Sequence, residues 1–328
     1  MTQIWLPILG VIAGFIGLIW SADRFVAGSA ALANTFGIPK LIIGLTIVAF
    51  GTSAPEVVVS ISASLRQAGE LAVGNALGSN LANVGLVLAI TALIAPLPIQ
   101  RHLLIREVPA LVVITALAGV FLYDSQLQAW EGWVLLLVLP AVMWLLIWSK
   151  RHDPEEIDPE IPAMGRLASS LWFVIGLVVL VGSSEVLVWG AEQLALAMGV
   201  TPLVVGLTVI AVGTSLPELA ASVMSALKGH QDIALGNIIG SNLFNILAVM
   251  AVPALIQQPP MEAAVFFRDY ASMALITAIL VVAIWVDYHL RRNDTPDGSP
   301  HKGHLGRRIG SLLLLSYAGY YVWLFISV

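Results

Sequence analysis

The segment Gly44–Glu56 reads GLTIVAFGTSAPE, and a near copy, GLTVIAVGTSLPE, occupies Gly206–Glu218. Nine of the thirteen positions are identical, and the offset between the copies is 162 residues. A second pair keeps that offset, because GNALGSNLAN at Gly74–Asn83 and GNIIGSNLFN at Gly236–Asn245 share seven of ten residues. One offset for two motifs predicts that the chain is an internal duplication in which each copy carries both motifs.

The composition predicts an integral membrane protein. Of 328 residues, 59% are hydrophobic and only 11% are charged, whereas a soluble domain has about a quarter of its residues charged. The net charge of -5 and the lack of a dense basic stripe argue against a nucleic-acid partner. The absence of cysteine excludes disulfides, thiolate catalysis and sulfur-ligated metals.

Apolar runs between polar breaks predict an all-α membrane protein with ten transmembrane helices. The polar stretch Lys150–Arg166 holds five acidic residues and three prolines, so it is predicted to be a solvated linker. It separates a first five-helix repeat, residues 1–149, from a second, residues 167–328. The ten spans are expected near residues 5–33, 41–65, 71–95, 107–123, 130–149, 167–197, 202–227, 232–256, 270–288 and 309–327.

The two repeats are predicted to be inverted in the membrane. Each copy has five spans, an odd number, so the second copy enters the bilayer in the opposite direction. Inverted repeats are typical of secondary transporters, whose substrate sites lie near the bilayer midplane. Alternating access follows naturally, because the two halves can exchange inward and outward conformations.

The distribution of basic residues predicts the topology. They accumulate in cytoplasmic loops, and twelve of the fifteen fall on one face: Lys40, Arg101, Arg106, Lys150, Arg151, Arg166, Lys228, Arg291, Arg292, Lys302, Arg307 and Arg308. Both termini are therefore expected on the non-cytoplasmic side, and the linker on the cytoplasmic side. The first apolar segment is interpreted as a retained span, because no basic stretch precedes it.

Two acidic residues are expected deep in the bilayer. Glu56 lies about fifteen residues, or roughly 22 Å at the helical rise, into its span, and Glu218 is its repeat counterpart. An unpartnered carboxylate at that depth costs several kcal/mol or more. Neither motif contains a lysine or histidine that could neutralise it, so a cation is the simplest partner.

Prolines predict that helices 2 and 7 are broken next to these acids. Pro55 and Pro217 lack an N–H and displace the carbonyls four residues earlier, those of Gly51 and Gly213. Irregular backbone at membrane depth is tolerated where it is buried or lines a cavity. The freed carbonyls and the hydroxyls of the adjacent residues are candidate ligands: Thr52, Ser53, Thr214 and Ser215.

The second motif adds neutral oxygen donors. Asn75, Ser79 and Asn83 are spaced by four residues and share one helical face, as do Asn237, Ser241 and Asn245. Asn75, Asn237, Ser79 and Ser241 could serve packing or ligation, whereas Asn80 and Asn242 are interpreted as structural. An all-oxygen site with two carboxylates suits Ca²⁺, and two or more Na⁺ could neutralise the same charges. Competition for the shared charge would make the protein an antiporter.

The paired Gly-Thr-Ser-x-Pro-Glu and Gly-Asn-x-x-Gly-Ser-Asn segments resemble those of the sodium/calcium exchanger family of the cation/calcium antiporter superfamily, and the resemblance covers the whole chain. It implies Ca²⁺ ligation by Glu56, Glu218, Thr52 and Thr214. It implies Na⁺ ligation by these four together with Ser53, Ser215, Ser79, Ser241, Asn83, Asn245 and the backbone carbonyls of Ala49 and Ala211. It also implies electrogenic exchange of several Na⁺ for each Ca²⁺. Some members carry Asp where this chain has Asn245, which leaves this site one ionisable group fewer.

The resulting functional prediction is a Na⁺/Ca²⁺ antiporter of a prokaryotic cytoplasmic membrane. It needs no cofactor, and no obligate protein partner is evident. H⁺/Ca²⁺ exchange is the alternative, because a buried glutamate can carry a proton, although the Ser and Asn donors favour Na⁺. An intramembrane hydrolase is disfavoured, since a nucleophilic serine needs an adjacent base. Saturable counterflow would exclude a passive channel.

A further acidic pair obeys the repeat. Asp23 on the first span and Glu185 on the sixth are also 162 residues apart. Asp23 could pair with neighbouring Arg24, lie near an interface or take part in transport. The resemblance implies that the helices carrying these two residues gate access.

Overall fold

The computed structural model describes residues 2–99, 102–150, 164–199, 211–290 and 303–327. Within these ranges the chain is almost entirely helical. The helices, some of which contain π-helical turns, are α1 (Thr2–Phe36), α2 (Lys40–Thr52), α3 (Ala54–Leu65), α4 (Gly69–Ile94), α5 (Leu103–Leu122), α6 (Ala129–Lys150), α7 (Arg166–Ala197), α8 (Ala211–Thr214), α9 (Leu216–Leu227), α10 (Gln231–Ile256), α11 (Val265–Leu290) and α12 (Arg307–Ser327).

The described helices make a multi-pass membrane protein, as the composition predicts. Eight are long and apolar enough to cross a membrane, and α2 with α3 makes a ninth span that is bent by 42°. The predicted span 41–65 matches Lys40–Leu65 closely. The first part of the predicted span 202–227 and most of the predicted linker 150–166 lie outside the described residues, so the count of ten stays a prediction.

The described residues contain five π-helical turns that were not predicted, and four of them form pairs at equivalent positions of the two repeats. Asn83–Leu88 and Asn245–Val249 begin at equivalent positions, as do Leu103–Glu107 and Val265–Tyr270. A π-turn accommodates one extra residue in a helix and is frequent at functional sites. The duplication therefore extends to irregularities of the backbone, and the first pair begins at the last asparagine of the second motif.

A small strand pair that was not predicted joins two connections of this otherwise α-helical membrane protein. β1 (Leu97–Ile99) follows α4, and β2 (Gly303–Leu305) precedes α12. The two are antiparallel, with Leu97 opposite Leu305. Both lie in connections, where backbone groups without helical partners are satisfied by pairing across the repeats. Apolar periodicity along one segment cannot reveal such a long-range pair.

The two longest described helices, α1 and α7, pack closely against each other. Their contact surface, here called the seam, contains glycine on both helices. A Cβ atom added at Gly14 would lie 2.7 Å from the backbone nitrogen of Leu187, and one added at Gly176 would lie 2.6 Å from that of Phe25. Gly14 and Gly176 are repeat counterparts. Small residues let membrane helices approach backbone to backbone, so the seam holds α1 and α7 together along their length.

The helices that carry the duplicated motifs form the interior. In α4 and α10, 72% and 78% of the most apolar window is buried within the protein, against 28% or less in α1 and α7. α10 packs across α2 of the other repeat, and α4 packs on α3. The motifs therefore meet at the centre of the molecule, away from the lipid-facing helices.

Candidate cation site

Both duplicated helices break at a serine that lies two residues before the proline. α2 ends at Thr52 and α3 begins at Ala54, with Ser53 between them at φ -83° and ψ 7°. α8 and α9 are separated in the same way by Ser215, at φ -89° and ψ 4°. Pro55 and Pro217 occupy the first turns of α3 and α9, where a missing N–H is tolerated. The predicted breaks of helices 2 and 7 are present.

Glu56 and Glu218 lie in the first turns of the helices that follow the breaks. Both are completely buried. The partial positive charge of a helix N-terminus favours a carboxylate there, but this stabilisation is modest against the cost of burial. In the described part of the chain, neither carboxylate forms an ion pair with a basic residue.

Hydrogen bonds connect the two breaks. The Ser53 hydroxyl of the first repeat donates to Oε1 of Glu218 at 3.0 Å. Glu56 accepts from Ser79 of its own repeat at the longer distance of 3.5 Å. The pairing between Ser53 and Glu218 shows that the two motifs, far apart in sequence, form one cluster.

The asparagines Asn75 and Asn237 bind the backbone of the broken helices. Nδ2 of Asn75 donates to the carbonyl of Glu56 at 3.2 Å. Nδ2 of Asn237 lies 3.4 Å from the carbonyl of Glu218 and 2.9 Å from the hydroxyl of Ser222. The sequence left packing and ion ligation open for these two residues. The bonds that they form here are to the protein itself and hold the acidic turns in position.

Several oxygen atoms of the cluster are buried but make no hydrogen bond to any described residue. Buried polar atoms are almost always paired, so such atoms mark a place where another ligand fits. They belong to seven residues of the two motifs: Oε2 of Glu56 and of Glu218, the hydroxyls of Ser215 and Ser241, the side-chain amides of Asn83 and Asn245, and Oδ1 of Asn80.

The remaining predicted ligands lie beside the breaks. Thr52 is buried and donates to Oδ1 of Asn237 at 3.1 Å, whereas Thr214 is half-buried. The carbonyl of Ala49 accepts the N–H of Ser53 at 3.0 Å and has a second lone pair. Ala211 is the first described residue of α8, so its carbonyl lies in the turn that ends at the second break.

Sequence reasoning missed one serine at the second break. Ser184 on α7 donates to the carbonyl of Gly213 at 3.1 Å, the carbonyl that Pro217 was predicted to free. The equivalent position in the first repeat is Ala22. Comparison of the two repeats could not have identified Ser184, because the duplication does not preserve it.

Asn80 and Asn242 lie where the central helices meet. Nδ2 of Asn80 donates to the carbonyl of Asn242 at 3.2 Å, and Nδ2 of Asn242 donates within its own helix to Ile238. The structural role predicted for the two residues agrees with these contacts.

A helical membrane protein that gathers buried acids and unpaired oxygens at two helix breaks has the architecture of a cation transporter. The family model for the sodium/calcium exchanger protein matches residues 6–148 and 168–326. The chain therefore belongs to the sodium/calcium exchanger family, as the motifs predicted. It is a membrane antiporter of the cation/Ca²⁺ class and not an enzyme.

Relatives agree along almost the entire chain. The inner membrane protein YrbG of Escherichia coli is 40% identical over 96% of this chain and 94% of its own length. The sodium/calcium exchanger MaX1 of Methanosarcina acetivorans is 29% identical over 86% of this chain and 92% of its own. A solved structure of the sodium-calcium exchanger NCX_Mj, soaked with 100 mM Na⁺ and 10 mM Sr²⁺, has a TM-score of 0.81 and 29% identity, covering 97% and 98% of the two chains.

Proposed function

We propose that this protein exchanges Na⁺ for Ca²⁺ by alternating access, and that both ions use one site built on Glu56 and Glu218. The observation that carries the proposal is the set of buried oxygens without hydrogen-bond partners among the described residues. Two of them belong to the paired carboxylates, and the others come from neutral side chains of both repeats.

The donor set suits hard cations. Ca²⁺ takes six to eight oxygen ligands, including carboxylates, amide carbonyls and backbone carbonyls. Two carboxylates balance one Ca²⁺ or two Na⁺, so either occupant neutralises the buried charge and excludes the other. The proposed Ca²⁺ ligands are Glu56, Glu218, Thr52 and Thr214, and the proposed additional Na⁺ ligands are Ser53, Ser215, Ser79, Ser241, Asn83, Asn245 and the carbonyls of Ala49 and Ala211.

The neutral donors favour Na⁺ over H⁺ as the coupling ion. A proton needs only a carboxylate oxygen, whereas a metal ion needs several oxygens around it. Ser215, Ser241, Asn83 and Asn245 supply such oxygens but would have no use in proton binding. MaX1, by its name, exchanges sodium and calcium, which supports the same choice of ion.

The proposal includes an architecture and an orientation. Ten helices form two inverted repeats, residues 1–149 and 167–328, joined by a cytoplasmic linker. The site lies near the bilayer midplane, and both termini face away from the cytoplasm. The inverted repeats are related by a pseudo-two-fold axis in the membrane plane. Each repeat adopts one of two conformations, and when the repeats exchange them the shared site opens to the other face. The protein is placed in the cell's inner or cytoplasmic membrane.

The deciding experiment is Ca²⁺ uptake into proteoliposomes with each gradient applied alone. With pH clamped on both sides, an outward Na⁺ gradient is expected to drive uptake of ⁴⁵Ca²⁺. A pH gradient without Na⁺ is expected to drive none. Uptake driven by the pH gradient and indifferent to Na⁺ would establish H⁺/Ca²⁺ exchange instead. Uptake that does not saturate and needs no counter-ion would indicate a channel.

A further inference from the structure

Asn237 of the second repeat is completely buried and is hydrogen-bonded through both polar atoms of its side chain. Its Oδ1 accepts the hydroxyl proton of Thr52, in the first repeat, at 3.1 Å. Its Nδ2 donates to Ser222 at 2.9 Å and approaches the carbonyl of Glu218 at 3.4 Å, both in its own repeat. The amide therefore links the first break to the second, and its oxygen and its nitrogen are both engaged.

The bond from Thr52 has a consequence for ion binding. A hydroxyl has one proton and two lone pairs. When the proton is donated to Asn237, the lone pairs of the Thr52 oxygen point away from Asn237 and can face a cation. The counterpart Asn75 is only half-buried, and among the described residues its side chain bonds to the carbonyl of Glu56 alone.

We infer that Asn237 is a positioning residue that orients the Thr52 hydroxyl and the Glu218 turn for Ca²⁺, without binding the ion itself. This inference rests on the proposed function, because Thr52 and Glu218 are there the Ca²⁺ ligands. Loss of the amide leaves the Thr52 proton only its longer contact with the carbonyl of Ala49, at 3.4 Å. The hydroxyl can then rotate its proton towards the ion, which weakens Ca²⁺ binding while the number of working molecules stays the same.

Asn237→Leu tests this role, since leucine has nearly the same size and no hydrogen-bonding atoms. The half-saturating Ca²⁺ concentration for exchange is expected to rise roughly tenfold, as for the loss of one or two hydrogen bonds. The maximal rate per folded protein should change less than twofold. Asn75→Leu is the matched comparison: it removes a bond to the backbone of the Glu56 turn but none to a ligand hydroxyl, so it is expected to raise half-saturation less than Asn237→Leu does.

A double-mutant cycle with Thr52→Ala separates positioning from general damage. If Asn237 acts through Thr52, Asn237→Leu should cost less in the Thr52→Ala background than alone. Strict additivity, or equal effects at Asn75 and Asn237, would overturn the inference. A fall in maximal rate at unchanged half-saturation would also do so. If wild-type exchange proves to use H⁺, the proposed function fails, but the cycle still reports on Ca²⁺.

A second inference comes from charged residues outside the site. Asp23 on α1 and Glu185 on α7 are repeat counterparts, as are Arg66 and Lys228, the residues that follow α3 and α9. Nζ of Lys228 lies 2.7 Å from Oδ1 of Asp23 and donates to its backbone carbonyl at 3.0 Å. Arg24 is more distant, at 3.9 Å, so Lys228 is the main partner of Asp23.

The counterpart pair is not formed. Glu185 and Arg66 are both exposed, and neither has an ion-pair partner in the part of the chain that the structure describes. Packing follows the same pattern. Leu18, Ala22 and Phe25 of α1 join an apolar cluster with Ala221 of α9, whereas α7 and α3 are not among the helix pairs in extensive contact. The contact between Asp23 and Lys228 is therefore formed, and the equivalent contact between Glu185 and Arg66 is not.

We propose that Asp23–Lys228 and Glu185–Arg66 are alternating latches, one for each face of the membrane. Inverted repeats place the ends of α3 and α9 on opposite faces. Glu185 directly follows Ser184, whose hydroxyl donates to the carbonyl of Gly213 at the second break, so the open side lies next to the site. The Asp23 and Lys228 side chains are 42% and 27% exposed, and such a pair is weak, as a latch that must open in every cycle requires.

Cross-linking tests the latches directly, because the chain has no native cysteine. Cysteines replace Asp23 and Lys228 in one variant and Glu185 and Arg66 in another, and a short bifunctional thiol reagent is applied to membranes. The first pair is expected to cross-link in the state described here. Switching the bath between Na⁺ and Ca²⁺ should change the cross-linking rates of the two variants in opposite directions.

Charge reversal gives a second measurement. Asp23→Lys is expected to slow exchange severalfold, and the double variant Asp23→Lys with Lys228→Asp should recover most of the rate. The proposal is wrong if cysteines at Glu185 and Arg66 never cross-link, or if charge reversal restores none of the exchange rate. It is also wrong if a variant that carries all four cysteines forms both cross-links in the same molecule. Cross-linking needs no ion flux, so its failure is distinguishable from failure of the proposed Na⁺/Ca²⁺ exchange.

Discussion

The two broken helices have nearly the same sequence but make different hydrogen bonds. At the first break, Ser53 reaches across to Glu218, whereas the equivalent Ser215 makes no such bond to a described residue. Glu56 is bonded by Ser79, while the counterpart Ser241 is unpaired there. Nearly equal sequences therefore lie in unequal arrangements, which agrees with the proposed alternating access, in which the two repeats exchange conformations.

The largest expected effect comes from removing either acid. Glu56→Gln and Glu218→Gln should each lower Na⁺-dependent Ca²⁺ uptake on the order of a hundredfold, because half of the buried charge that balances Ca²⁺ is lost. The control is Glu192→Gln, an acid on α7 outside both motifs, which should retain uptake. Normal uptake by either site variant would remove the shared carboxylates from the mechanism.

The two serines at the breaks should differ in their effect on Ca²⁺. Ser53→Ala removes a hydrogen bond to the Glu218 carboxylate, and bonds to charged groups contribute about 2 kcal/mol. Half-saturation by Ca²⁺ is therefore expected to rise at least tenfold, against less than threefold for Ser215→Ala. Equal shifts in a Ca²⁺ titration of exchange would mean that the unequal bonding has no consequence for binding.

In contrast with the site, the seam between α1 and α7 is alike in both repeats. Gly14→Ala and Gly176→Ala should therefore destabilise the protein to a similar extent, by at least about 1 kcal/mol, since each added methyl meets the opposing backbone. The thermal unfolding temperature of purified protein measures this. Gly182→Ala, where nothing lies within 4 Å of the new carbon, should leave it unchanged or raise it slightly.

The smallest effect is expected at Ser184. Ser184→Ala removes the donor to the Gly213 carbonyl and should cost about 1 kcal/mol of stability or less. If Ser184→Ala instead abolished exchange at unchanged stability, Ser184 would belong to the ion pathway itself.

Most of the helical architecture could be predicted from the sequence. Long apolar runs fix helices such as α6, expected over 130–149 and found over Ala129–Lys150. The helix breaks were predicted from Pro55 and Pro217, because a proline disturbs the hydrogen bonds of the helical turn that precedes it. The duplication alone identified both acids, and the fold brings Ser53 of one repeat to Glu218 of the other.

The remaining features depend on contacts that a single segment does not encode. The π-helical turns arise where helices pack, and the pairing of Leu97 with Leu305 joins segments that are distant in the chain. The difference between Ser53 and Ser215 lies in their contacts and not in their local sequence. Two nearly identical segments cannot specify which of the two serines has a partner.

The strand pair between β1 and β2 has a consequence for biosynthesis. β1 emerges from the ribosome early, but β2 is made only when nearly the whole chain has been translated. Until then β1 lacks its partner, and an unpaired strand edge is prone to wrong pairing. Completion of the molecule therefore awaits its last helix, and chains that stop before Gly303 should be substrates for membrane quality-control proteases.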